Sequence, residues 1–207
     1  MNALDTTHLV ALAAALGWAS GFRLYAAVFI TGMAGFMGWL PLPPGLQVLQ
    51  HPAVLGVSGV MLFMEFFADK IPFVDSIWDV VHTVVRIPAG AALAAGALGA
   101  DGATATTVAA LLGGTLAAAS HTTKMTTRAA VNTSPEPFSN IAVSLLEDGL
   151  VVAGLWLAVN YPVAFGIALC VALGLMAIML ALLFKFFIAV IRRIAAFFSG
   201  APAPQGT

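Results

Sequence analysis

Glu65 and Asp69 stand four residues apart in a run that is otherwise almost wholly apolar, and His82 and Arg86 repeat that spacing a little further on. On a helix a spacing of four puts both members on one face. Glu147 and Asp148 are adjacent, Arg23 is flanked by Ser20-Gly21-Phe22 and Leu24-Tyr25, and His121 and Lys124 close a second apolar stretch. Each such group costs roughly 2.5–3.5 kcal/mol at the centre of a spanning helix, and intramembrane ionisable residues mostly face a bundle interior in pairs. The chemistry open to Arg23, Glu65, Asp69, His82, Arg86, His121, Lys124, Glu147 and Asp148 is therefore ion pairing in a low-dielectric interior. Acids left over would bind a proton, a cation or a substrate's ammonium group. The same set would equally serve as ion pairs that fix helix register with no ligand.

The elements that carry these residues follow from composition. Of 207 residues 61% are hydrophobic and 8% charged, against about 25% charged in an ordinary soluble domain, so the expected solvent is a bilayer. Eight scattered basic residues and a net charge of −1 give nucleic acid no patch to bind. The one cysteine, Cys170, offers neither a disulfide nor a thiolate cage, and no two histidines have ligand spacing, so no metal or cofactor is expected. Met1 to Leu9 lacks the basic start of a signal peptide, and the first segment is expected to remain.

Charges, Pro and Gly divide the chain into six expected spans, at about 8–40, 51–68, 77–99, 103–123, 139–160 and 162–184. The first is too long for one crossing, since 33 residues rise roughly 50 Å against a core of about 30 Å. Ser20 to Arg23 is where it should break. Turns are expected at Pro41 to Gly45, Asp101-Gly102 and Tyr161-Pro162, and longer polar segments at 68–79 and 120–140. The expected fold is thus an all-α polytopic bundle forming one transmembrane domain over 1–184, with an amphipathic stretch at 185–198 on the cytoplasmic surface and a disordered tail at 199–207. On six spans Lys70, Lys124, Arg128, Lys185, Arg192 and Arg193 fall on one side and none on the other, which puts both termini in the cytoplasm of an inner (plasma) membrane protein.

Residues 6–20 align without gaps on 106–120, with six identities at Thr, Thr, Leu, Leu, Ala and Ser. With six spans this implies two inverted three-helix halves, about 6–99 and 106–184, an architecture of many secondary transporters. Gly56-Val57-Ser58-Gly59, with His82 on the next span, carries the residue types of an intramembrane serine protease, but small residues at this spacing ordinarily serve close helix packing. Gly113-Gly114 and the glycines from Gly90 to Gly99 read the same way. The four tryptophans suit interfacial anchoring.

Several blocks together resemble one family: Ser20-Gly21-Phe22-Arg23-Leu24-Tyr25; Glu65 to Pro72 with Val74-Asp75-Ser76 and Trp78-Asp79; His82 to Arg86; Lys124 to Arg128 with Val131-Asn132-Thr133; and Leu146-Glu147-Asp148. The family is an uncharacterised group of bacterial membrane proteins, domain-of-unknown-function family 4126, and the resemblance covers roughly 10–183. It implies a multi-span inner-membrane protein and supplies no activity or substrate. From the residues, three classes remain open. The favoured one is a transporter or channel moving an ion or small polar solute. A structural or assembly subunit is the second, and an intramembrane enzyme, for which no nucleophile or metal set is found, the third. Membrane lipid is the expected partner, and a homodimer is compatible with the sequence.

Overall fold

The computed structural model describes residues 4–99, 102–133 and 137–199, and the described residues form helices and turns without strands. Five helices are long and apolar enough to cross a membrane, or six if the bent pair Pro44–Gln50 and Pro52–Ala68 counts as one span. The chain is an all-α, multi-span bundle. Its elements are α1 (Thr6–Phe36), a short 3-10 helix (Pro44–Gln50), α2 (Pro52–Ala68), α3 (Val74–Leu98), α4 (Ala103–Val131), α5 (Pro137–Asn160) and α6 (Pro162–Ser199). Asp5 caps α1 by accepting from the His8 amide at 2.9 Å, and His51 caps α2 ahead of Pro52, the position where a proline costs no hydrogen bond.

The bundle is organised around α3 and α4, an antiparallel hairpin with the most extensive contact in the fold. Their glycines set the spacing: a Cβ on Gly113 would lie 2.5 Å from the carbonyl oxygen of Gly90, so the backbones touch as the small residues predict. The first limb of α1 fills the groove between them. Gly17 abuts Gly113, with a Cβ there 2.6 Å from its Cα, and Ser120 Oγ lies 2.8 Å from the Trp18 carbonyl. Phe22 receives a bond from Lys124 Nζ at 3.2 Å. These contacts climb together along both helices, so the first limb of α1 runs parallel to α4 and antiparallel to α3.

The expected break is present, and the chain does more there than kink. Arg23 leaves helical geometry inside α1 (φ −144, ψ 76). Ser20 packs on Gly90, and Gly45 of the 3-10 helix packs on Gly96, while Gly32 packs on Leu49. A straight α1 would carry Gly32 about 18 Å beyond Ser20 in one direction, with Gly96 about 9 Å beyond Gly90 in the other. The four residues from Gly45 to Leu49 reach at most about 14 Å, so they cannot bridge that span. The second limb of α1 must therefore double back at Arg23 toward the end where it began. α1 is a re-entrant helical hairpin with an arginine at its tip, level with the middle of α3. The hairpin is the most buried part of the fold, 83% of its apolar window being enclosed.

This corrects three expectations. The repeated segments 6–20 and 106–120 lie parallel, so the halves are not inverted. Because the first segment doubles back, the start of α1 at Thr6 and the end of α6 at Ser199 stand at opposite ends of the bundle, not on one side. The polar segment from Ser120 is helix as far as Val131, because its Lys124 and Arg128 turn inward to acids instead of out to water. The stretch 185–198 is the uninterrupted end of α6. That helix at about 1.5 Å per residue outruns a bilayer core of about 30 Å. Of the expected disordered tail at 199–207, Ser199 is the last residue of α6 and 200–207 lie outside the described residues, as does Asp101 of the second turn. Trp39, Trp78 and Trp156 lie near helix ends, whereas Trp18 is 6% exposed and packs edge-on against Phe22 inside the bundle.

Candidate functional site

Polar residues recur along one face of each helix that meets the hairpin tip, and the fold turns those faces together. On α3 the buried residues include Asp75, Asp79, His82, Arg86 and Gly90, and on α4 they include Ser120, Lys124 and Arg128, the three- and four-residue steps of one helix face. Glu65 and Asp69 end α2, and Asn140, Ser144 and Glu147 face inward from α5. Arg23 meets this set from the tip of α1.

Arg23 Nη1 donates to Asp69, Nη2 to the hydroxyl and carbonyl of Ser144 at 2.8 and 3.1 Å, and Nε lies 3.0 Å from Asp148. Arg86 donates to Glu65 at 2.5 Å and to Asp79 at 2.7 Å. Lys124 sits between the two arginines, donating to Asp69 at 2.6 Å and lying 3.1 Å from Asp79. Arg128 donates to Glu147 at 2.8 Å, to the Asp69 carbonyl at 2.9 Å and to the Asn140 side chain. All four cations are fully enclosed. The result is one continuous network from the bundle's middle toward the end that carries Lys70 and the α4–α5 connection.

Of the residues singled out from sequence, Arg23, Glu65, Asp69, Arg86, Lys124, Glu147 and Asp148 belong to this network. His121 joins at its edge. Arg86 Nη1 lies 3.3 Å from its Nδ1, so that nitrogen is the acceptor and Nε2 carries the hydrogen toward Thr83 Oγ1 at 2.7 Å. His82 does not join. Its Nδ1 bonds the Trp78 carbonyl at 2.8 Å, and its ring stacks on Trp78 with Tyr25 at its edge. Asp75, Asp79, Arg128, Asn140 and Ser144 take part without having been singled out as site residues. The regular steps 75, 79, 82 and 86 were the available signal. Ser58 bonds the Val54 and Leu55 carbonyls of its own helix. Among the described residues no cluster of His, Cys, Asp and Glu has the makings of a metal site.

Beside the network lies a crevice of about 410 Å³ between the first limb of α1, α4, α5 and α6. Its walls are apolar, and Lys124 and Glu147 are the charged residues among its lining.

The model of the domain-of-unknown-function family DUF4126 matches residues 10–182, which takes in every residue of the network. The chain belongs to DUF4126. No curated protein and no solved structure matches it, so the chemistry of this DUF4126 chain rests on its own geometry. The block from Glu65 to Pro72 is the end of α2 and the turn after it, which deliver Glu65 to Arg86 and Asp69 to Arg23.

Proposed function

We propose that the chain is a transporter in which an ion or a small polar group is handled by the buried charge network at the tip of the re-entrant hairpin. One observation carries this. The network sets five buried carboxylates, on Glu65, Asp69, Asp75, Asp79 and Glu147, with the part-exposed Asp148 at its edge, against four enclosed cations, and Lys70 joins the same end by donating to Ser144 Oγ. Glu65 Oε2, Asp69 Oδ1, Asp79 Oδ2 and Asp148 Oδ2 accept no hydrogen bond among the described residues, while on the donor side Nε of Arg23, Arg86 and Arg128 is left over. A network needed only to hold helices in register has no use for surplus buried acid, which is costly unless something cationic shares it.

The test is flux in liposomes holding the purified protein, followed with a pH-sensitive dye and with membrane potential across a panel of monovalent cations. Glu65→Gln keeps an oxygen for Arg86 and removes one acid, so it should abolish flux while the protein still purifies folded with a melting temperature within a few degrees of the parent. If the parent moves nothing in the panel, or the variant fails to fold while flux per folded molecule is unchanged, transport is the wrong assignment. A structural or assembly subunit is the second reading, favoured by the complete enclosure of all four cations and by their each meeting more than one acceptor.

The reversal at Arg23 supports an orientation that differs from six simple crossings. Lys70, Lys185, Arg192 and Arg193 gather at the end opposite Thr6, and basic residues are retained in the cytoplasm. The expected result is a cytoplasmic C-terminus and an outward N-terminus. In a Cys170→Ala background, Thr133→Cys should be shielded from a membrane-impermeant thiol reagent applied outside, and Thr7→Cys should react. Equal shielding of both would show that the first segment crosses.

A further inference from the structure

The apolar crevice beside the network is shaped and placed for a chain, not for a soluble solute. It extends along α5 from Val143 to Leu157 and along α6 from Phe165 to Met179, about 20 Å along the bundle on each helix. Phe22, Leu150, Phe165 and Met176 are among its walls. α6 is the least enclosed helix, with 6% of its apolar window buried, so this side of the crevice faces the bilayer. At the charged residues of the lining the balance favours a donor. Lys124 is already held by Asp69 and Asp79. Glu147 spends Oε2 on Arg128, with Arg23 and Lys124 also within 4 Å of that oxygen, and keeps Oε1 as an acceptor. Oε1 is thus the uncommitted charged atom of the lining, and it takes a donor such as an ammonium group.

We propose that this crevice is a binding site for an amine-bearing membrane lipid, with one acyl chain lying between α5 and α6 and the ammonium headgroup against Glu147. The proposal rests on the transport reading for its purpose and names the ligand class of the same network. The two can fail separately.

The probe is phosphatidylethanolamine with brominated acyl chains, set against phosphatidylglycerol with the same chains, each titrated into nanodiscs of unbrominated phosphatidylcholine holding the full chain. Trp18 lines the crevice, and the quenching that disappears in Trp18→Phe reports its occupancy. The ethanolamine lipid should quench this component at about ten-fold lower mole fraction than the glycerol lipid, the discrimination expected of one charged hydrogen bond. Ala172→Phe fills the crevice from α6 without touching the charges, and should remove the quenching while leaving the melting temperature in place. Equal quenching by both headgroups, or quenching that survives Ala172→Phe, overturns the proposal. Selective quenching in a protein that moves neither labelled lipid nor cation keeps the site and removes the transport reading. Cation flux in liposomes without selective quenching does the reverse.

Discussion

Asp69→Asn should be the most damaging single change in the charge network, costing about 3–5 kcal/mol, the range for removing one partner from a buried ion pair. Arg23 and Lys124 both donate to the same Asp69 oxygen, and Arg128 Nη2 stands 3.9 Å from it. Asparagine would face three enclosed cations with one neutral oxygen and an amide that is itself a donor. Asp69 is fully enclosed, so the hairpin tip and α4 would each lose a counter-charge that bulk solvent does not replace. Glu65→Gln is the natural comparison, because Arg86 there keeps Asp79 at 2.7 Å and loses only part of its partnership. At roughly 2–4 °C per kcal/mol for a chain of this size, thermal scans of the two purified variants in one detergent should separate them by about 5–15 degrees, with Asp69→Asn the lower. Should the two melt together, the network is not centred on Asp69, and the hairpin is held by its apolar packing alone.

Gly113→Val is expected to be next in severity, through geometry rather than charge. At this position α4 touches both α3 and the first limb of α1. A Cβ would press on the Gly90 carbonyl at 2.5 Å, and Gly17 already brings its own backbone against the Gly113 Cα. The opposing atoms are the Ala94 Cβ, nearer still, and the Gly90 main chain, none of which can rotate aside, so the helices must separate along their length. Overpacking a well-filled core costs about 1–3 kcal/mol, and displaced backbone puts this variant at the top of that range. Gly114→Ala is the control. Its added Cβ would meet its nearest neighbour, the Ala91 Cβ, at 3.4 Å, an ordinary contact, and glycine inside a helix costs about 1 kcal/mol relative to alanine. Gly114→Ala should therefore match or exceed the parent in melting temperature while Gly113→Val falls well below it. Equal effects at 113 and 114 would mean that the close approach of the three helices is not as drawn.

What the sequence made legible, and what it did not, divides along a physical line. The break at Ser20 to Arg23 was readable because a glycine and an arginine in a run too long for one crossing carry a local cost that can be added up. The direction taken after the break was not. It depends on Gly32 meeting Leu49 and on Gly45 meeting Gly96, contacts between segments whose sequences carry no mark of each other. Counting basic residues then inherited the error, since it presumes that every apolar segment crosses. The gapless match of 6–20 to 106–120 gave similarity without sense of direction, and in the fold these segments lie parallel, the first in a groove that the second helps to form. Among the charged residues, Arg23, Glu65 and Lys124 stood out because apolar flanks make a charge conspicuous. Asp75, Asp79 and Arg128 were less conspicuous because they sit in more polar stretches that read as loops, yet each is enclosed. His82 shares the spacing of Arg86 but not its partners, because Trp78, one turn earlier, takes its ring and the carbonyl there takes its Nδ1.

The hairpin also sets an order of events during synthesis. Its tip is made among the first residues, but Asp69 follows 46 residues later and Ser144 follows 121 residues later. At about 5–20 residues per second the second interval lasts roughly 6–24 s. Until Asp69 is made, roughly 2–9 s at that rate, Arg23 has no counter-charge within the bilayer, and until α5 supplies Ser144 and Asp148 it holds only part of its partnership. The hairpin tip, made early, is thus seated only after α5 has supplied its acceptors.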